Sequence, residues 1–110
     1  MAQNVKLLVY PAKDLAAGKA FFKTFLGVEP YVDGDYYVGY KVDNMEIGLD
    51  PNGQEIIAYI EVADIKASLQ NLLDAGASTQ QEPTDVGGGM LIAKVKDANG
   101  NVVGLRQLAS

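Results

Sequence analysis

At 110 residues, 48% of them hydrophobic and 21% charged, the chain has the size and composition of one ordinary soluble domain. Its net charge of −5 argues against non-specific nucleic-acid binding, which runs on clustered Lys and Arg; the acidic balance is compatible with a cationic partner, though solubility alone accounts for it. The absence of His and Cys excludes Ser-His-Asp triads, thiol nucleophiles, disulfides and imidazole or thiolate metal ligands, so any acid–base chemistry falls to carboxylates, tyrosines or lysines.

No apolar run approaches the ~20 residues of a membrane helix. The opening MAQNVKLLVYPAKD lacks the order of charged, apolar and cleavage regions of a signal peptide, so a cytoplasmic location is the default expectation. The first strand is expected at VKLLVY, residues 5–10. Asp14 is placed to cap an amphipathic helix through LAAGKAFFKTFLG, with Leu15, Phe22 and Phe25 or Leu26 on one face and Gly27 at its end. Short strands and turns follow: EPYV, DGD, YYVGYKV, DN and MEIGLD.

Pro51-Asn52-Gly53 interrupts this series, and a second one starts. IIAYIEV, residues 56–62, reads as a strand, and Asp64 as a helix cap. IKASLQNLLDAG carries Ile65, Leu69, Leu72 and Leu73 on one face and ends at Gly76. TQQEP, the loop DVGGG, the strand LIAKVK, the turn DANGN and the strand VVGLRQL complete the half. LVYPAKDL matches AYIEVADI with the two Asp fifty positions apart, FLGV matches DAGA one residue out of phase, and MEIGLD matches NVVGLR. The reading is therefore an α+β fold of two tandem βαβββ modules in a single domain, 1–53 and 54–110.

Two paired βαβββ modules, a V-x-D-[LI] helix entry, an L-G helix exit and a D-x-[DN]-G-N hairpin together resemble the vicinal oxygen chelate superfamily of glyoxalase I, bleomycin-resistance proteins and extradiol dioxygenases. The resemblance spans Val5 to Gln107 and implies that each module curves its mixed sheet into half of a cup, two modules enclosing a cleft. In metal-dependent members, four ligands stand on the first and last strand of each module. Carried over, those positions are Leu7, Gly48, Ile57 and Gly104, and none has a side chain that binds a metal. The resemblance thus implies a member without the usual ligands, no cofactor and a leaning away from enzymatic activity. Members with one module pair per chain associate as homodimers, which is also the expectation here.

Strand alternation extends each position to its i±2 neighbours. The expected cup lining is Leu7 and Val9, Glu46, Gly48 and Asp50, Ile57, Tyr59 and Glu61, and Val102, Gly104 and Arg106, with Tyr37 or Tyr40 depending on the β3–β4 register. Leu8, Ile47, Leu49, Ile60, Val62, Val103 and Leu105 are expected to face the helices. The two strand glycines either widen the cup for a ligand or relieve crowding by its own side chains. The functional expectation is a metal-independent binder of a small apolar or cationic aromatic ligand, with Tyr59 stacking and Glu61 or Asp50 near a cationic tail. The alternatives are a glyoxalase- or dioxygenase-type enzyme with a carboxylate site of Glu46, Asp50 and Glu61, and a structural or regulatory homodimer with a vestigial cleft. Gly87-Gly88-Gly89 lacks the features of a phosphate loop and is either a lid or a flexible connection.

Overall fold

The computed structural model describes residues 3–109. The chain divides into two compact units, one spanning Lys6–Ile57 and the other comprising the residues before Lys6 together with those from Ala58 onward. The first module runs β1 (Val5–Pro11), α1 (Leu15–Leu26), β2 (Val32–Asp33), β3 (Val38–Val42) and β4 (Met45–Asp50). The second repeats the order as β5 (Ile57–Glu61), α2 (Ile65–Asp74), β6 (Ser78–Asp85), β7 (Leu91–Lys96) and β8 (Val102–Gln107). Strand order within the modules is β2-β3-β4-β1 and β6-β7-β8-β5, the same topology twice. In each, hairpins join the three antiparallel strands, and the first strand lies parallel to the last, β1 on β4 and β5 on β8. A parallel pair needs a long crossover, and the helix with its following hairpins supplies it.

Both helices start as their residue types require. The Asp14 carboxylate accepts from the Ala17 amide at 3.0 Å, and the Asp64 carboxylate accepts from the Ala67 amide at 3.1 Å. These bonds satisfy one otherwise orphaned donor at each helix start. Gly27 closes α1 in the left-handed conformation, at φ 75°, and donates to the Lys23 carbonyl. Between β3 and β4, Asp43 takes φ 53° in a two-residue turn, a conformation Asp tolerates better than most residues.

Alternation along the strands then sets each core. In the first module Val38, Tyr40, Ile47 and Leu49 are buried, with Leu8, Tyr10, Leu15, Phe22 and Leu26 packed against them. The fully buried Tyr40 hydroxyl donates to the Lys19 carbonyl at 2.8 Å, so its one polar atom is satisfied inside the core. In the second, Ile65, Leu69, Ala93, Val95 and Leu105 are buried, joined by Ile60, Val62, Leu72 and Leu73. Val103 departs from expectation: it lies on the helix-facing side by parity but is 40% exposed. It pairs with Ala58 and with the buried Val95, two residues nearer the β7–β8 turn than Leu105, and the cluster against α2 includes Val95 but stops short of Val103.

Several boundaries also shift. Of the expected EPYV strand only Val32 lies in β2, joined by Asp33 of the expected DGD turn; Tyr36 and Tyr37 precede β3, and Asp85 ends β6 instead of opening the glycine loop. The two helices differ in their outer faces. α2 exposes Lys66, Gln70, Asn71 and Asp74, whereas α1 exposes Phe21 and Phe25, which stack at 5.8 Å between ring centroids. Among the described residues, no helix is long and apolar enough to cross a membrane.

Candidate functional site

The face of each sheet turned away from its helix carries the sequence-derived candidates. In β4, Gly48 lies opposite Val9 of β1 and Gly39 of β3. In β8, Gly104 lies opposite Tyr59 of β5 and Lys94 of β7. Neither glycine leaves open space. A Cβ on Gly48 would overlap the Tyr37 hydroxyl and come within 2.6 Å of its Cζ; a Cβ on Gly104 would overlap the Tyr59 ring edge and come within 2.8 Å of its Cγ. Each glycine is a floor for a tyrosine ring, an arrangement by which an aromatic side chain covers the backbone a glycine would expose. Of the two expectations, the second describes both modules: the glycines accommodate the protein's own side chains.

The covering rings arrive differently. Tyr59 comes from the parallel neighbour and is 5% exposed. Tyr37 comes from the turn before β3, diagonally across the Gly39–Gly48 pair, and is half-buried. Tyr37 therefore lies on the candidate face and Tyr40 in the core, which resolves the β3–β4 register. Gly39, which sequence reasoning passed over, also contacts this ring, a Cβ there standing 3.2 Å from Tyr37 Cε2 and from Tyr31 Cε1. Its signal was the same, a glycine inside an apolar strand.

Leu7 and Ile57 are buried at 6% and 8% exposure, and Val9 is half-buried. The carboxylates have partners close by. Glu46 accepts a hydrogen bond from the Tyr31 hydroxyl and lies opposite Lys41, whose ammonium stands 4.6 Å from the Tyr31 ring centroid. Asp50 accepts from the Asn52 amide at 2.8 Å. Glu61 and Arg106 are direct neighbours across the parallel β5–β8 pair, and the Arg106 guanidinium donates to Glu61 Oε1 at 2.5 Å. The Arg106 side chain is 5% exposed and that of Glu61 34%. The pair thus points one carboxylate towards solvent and keeps its cation inside.

That carboxylate borders a crevice of about 400 Å3 lined by Glu61, Val62, Ala63, Gln107 and Leu108, at the carboxyl ends of β5 and β8. Gln107 is fixed there because its Oε1 accepts from the Ile65 amide at 2.8 Å, an anchor at the start of α2. Gln107, Val62, Ala63 and Leu108 were absent from the sequence-derived candidates, since only strand pairing brings two segments more than forty residues apart to one rim. The metal site that the resemblance implies does not fit these residues. Two apolar side chains and two tyrosine-covered glycines hold the carried-over positions, and among the described residues no three Asp or Glu stand together as a ligand set.

Comparison of the sequence with models of known protein families and with curated proteins found no match. Solved structures do match. A hypothetical protein of Bacillus halodurans C-125 superposes with a TM-score of 0.82 at 13% identity, covering 100% of this chain and 97% of the other. Methylmalonyl-CoA epimerase of Streptomyces coelicolor gives 0.77 at 16% identity, covering 100% and 97%. A glyoxalase/bleomycin resistance protein/dioxygenase superfamily member of Vibrio splendidus 12B01 gives 0.72 at 18% identity, covering 97% and 100%. The chain therefore has the fold of the vicinal oxygen chelate proteins.

Proposed function

We propose that this protein binds a small molecule without a metal, in the crevice beside Glu61, and that the ligand carries an aromatic or apolar body and a cationic or hydrogen-bond-donating group. The observation that carries the reading is the Glu61 carboxylate on the rim of the crevice, paired with the buried Arg106 behind it. Arg106 orients Glu61 through Oε1, so that the partly exposed carboxylate is fixed before any ligand arrives, and a preorganised acceptor costs less to engage. Val62, Ala63 and Leu108 supply apolar contact, and Gln107 a side-chain amide, the mixture usual in small-molecule sites. Tyr59 supports Gly104 under this arrangement, its ring too enclosed to stack on a ligand. A panel of aromatic amines and amidines, followed by thermal shift, tests the reading. A binder at a hundredfold excess over its Kd stabilises the folded state by about 2.7 kcal/mol, and Glu61→Gln is expected to remove most of that shift. No shift from any member, or a shift that survives Glu61→Gln, counts against it.

A second reading, a homodimer in which the chain acts through association, is favoured by α1. A helix that is apolar on its outer as well as its inner face is usually covered, and Phe21 and Phe25 are 61% and 68% exposed. Light scattering after size exclusion is expected to give twice the mass of one chain. Phe21→Lys together with Phe25→Lys is expected to return it to one, and a single-chain mass for the unaltered protein ends this reading.

A further inference from the structure

The turn between β7 and β8 contains chemistry that ligand binding does not use. Asn99 and Gly100 are both exposed there, between Asp97 and Asn101. An asparagine followed by glycine is prone to cyclise, because no Cβ shields the next backbone nitrogen. That nitrogen attacks the Asn99 side-chain carbonyl carbon, the bond to the side-chain nitrogen breaks, and ammonia leaves with the displaced proton. Water then opens the cyclic imide to aspartate, linked onward through either its main-chain or its side-chain carbonyl. The reaction consumes one water, releases one ammonia and needs no oxidant or reductant.

In the folded turn the attacking nitrogen is engaged. Gly100 donates to the Asp97 carbonyl at 3.1 Å, with its own φ at 86°. Asp97 Oδ1 accepts from the Asn99 amide at 2.9 Å and from the Asn101 amide at 2.8 Å, and Oδ2 accepts from the Asn101 side-chain amide at 3.0 Å. Four hydrogen bonds from three consecutive residues therefore converge on one aspartate. The Asn101 side-chain amide, followed by the backbone amides, holds the Asp97 carboxyl below the usual carboxylate range, so that it is ionised at neutral pH.

We propose that Asn99–Gly100 is a latent deamidation site and that Asp97 is the latch that keeps it closed. The site's position gives it reach. Val102 opens β8, pairing with Lys96, and the same strand carries Gly104 and Arg106. A side-chain linkage at residue 99 inserts one backbone carbon just ahead of that pairing and disturbs the register that sets Arg106 beside Glu61.

The chain supplies its own comparison. Asn52–Gly53 is a second asparagine–glycine pair, held by Asp50: the Asn52 amide donates to its carboxylate at 2.8 Å and Gly53 to its carbonyl at 3.1 Å. Asp97 takes no part in that turn. The test follows both asparagines by peptide mass spectrometry during incubation at mildly alkaline pH, in the unaltered protein, in the same protein in concentrated urea, and in Asp97→Ala. Urea is expected to accelerate both sites. Asp97→Ala is expected to accelerate Asn99 on the order of tenfold, as for loss of a capping carboxylate, and to leave Asn52 at its original rate. Equal Asn99 rates with and without urea overturn the proposal. So does an unchanged rate in Asp97→Ala, or an equal acceleration of both asparagines, which would mark general unfolding instead of a local latch.

Discussion

Gly104→Ala is expected to destabilise the protein by about 2–3 kcal/mol, lowering the thermal midpoint by roughly 10 °C. The added methyl group meets the body of the Tyr59 ring, at its edge and Cγ, and that ring is 5% exposed. It has nowhere to retreat. Backbone preference alone would favour alanine over glycine in a strand by ~0.5–1 kcal/mol, so a net loss isolates the steric contact. Gly48→Ala makes a useful contrast. There the nearest atoms belong to the hydroxyl end of the half-buried Tyr37, which can swing aside, and the expected loss is nearer ~1 kcal/mol. A double-mutant cycle with Tyr59→Val decides the cause. Adding Tyr59→Val to Gly104→Ala is expected to cost far less than the two losses summed, with a coupling of about 1–2 kcal/mol. Additive losses would show that the ring and the glycine do not constrain each other.

Glu61→Ala is the second large effect, expected at about 2–3 kcal/mol. Breaking a fully buried ion pair from one side costs ~3–5 kcal/mol, and the one-third exposure of Glu61 reduces that through solvent screening. Replacing Arg106 by Met is expected to cost less, since the apolar chain fills similar space and the remaining carboxylate reaches water. Urea midpoints measured at unchanged m-value give both numbers. A larger loss for Arg106→Met than for Glu61→Ala would mean that Arg106 contributes chiefly through packing.

Much of this architecture was legible in the residues, for local reasons. Asp14 and Asp64 announce helix starts because a short carboxylate reaches the amide three residues on, and Gly27 announces an end because its φ suits few other residues. Such signals lie within one turn of the chain. Repetition of the same signals fifty residues later exposed the tandem modules. Alternation likewise separated the core residues Ile47, Leu49 and Leu105 from Gly48, Gly104 and Arg106. It failed at Val103 because parity tells which side a residue faces and not how far the helix above it extends.

The tyrosine covers were not legible, although Gly48 and Gly104 were singled out. Tyr59 and Gly104 meet only through the parallel β5–β8 register, and that register is set by the whole module. For Gly104, absence of a side chain was visible in the sequence, while the ring that requires the absence sits forty-five positions away. The crevice rim was hidden for the same reason, since Glu61 and Gln107 belong to different strands whose ends coincide only after pairing.

The two covers have a consequence for how the halves can be recombined. Tyr59 occupies the position that Val9 holds in the first module, and Tyr37 the position that Ile92 holds in the second, as the pairings of Gly48 and Gly104 define them. The modules share a topology but not a solution. A chimera that exchanged β1 for β5 would bring two tyrosines over Gly48 and none over Gly104, one floor contested and the other bare. Matching folds therefore do not make the halves interchangeable parts.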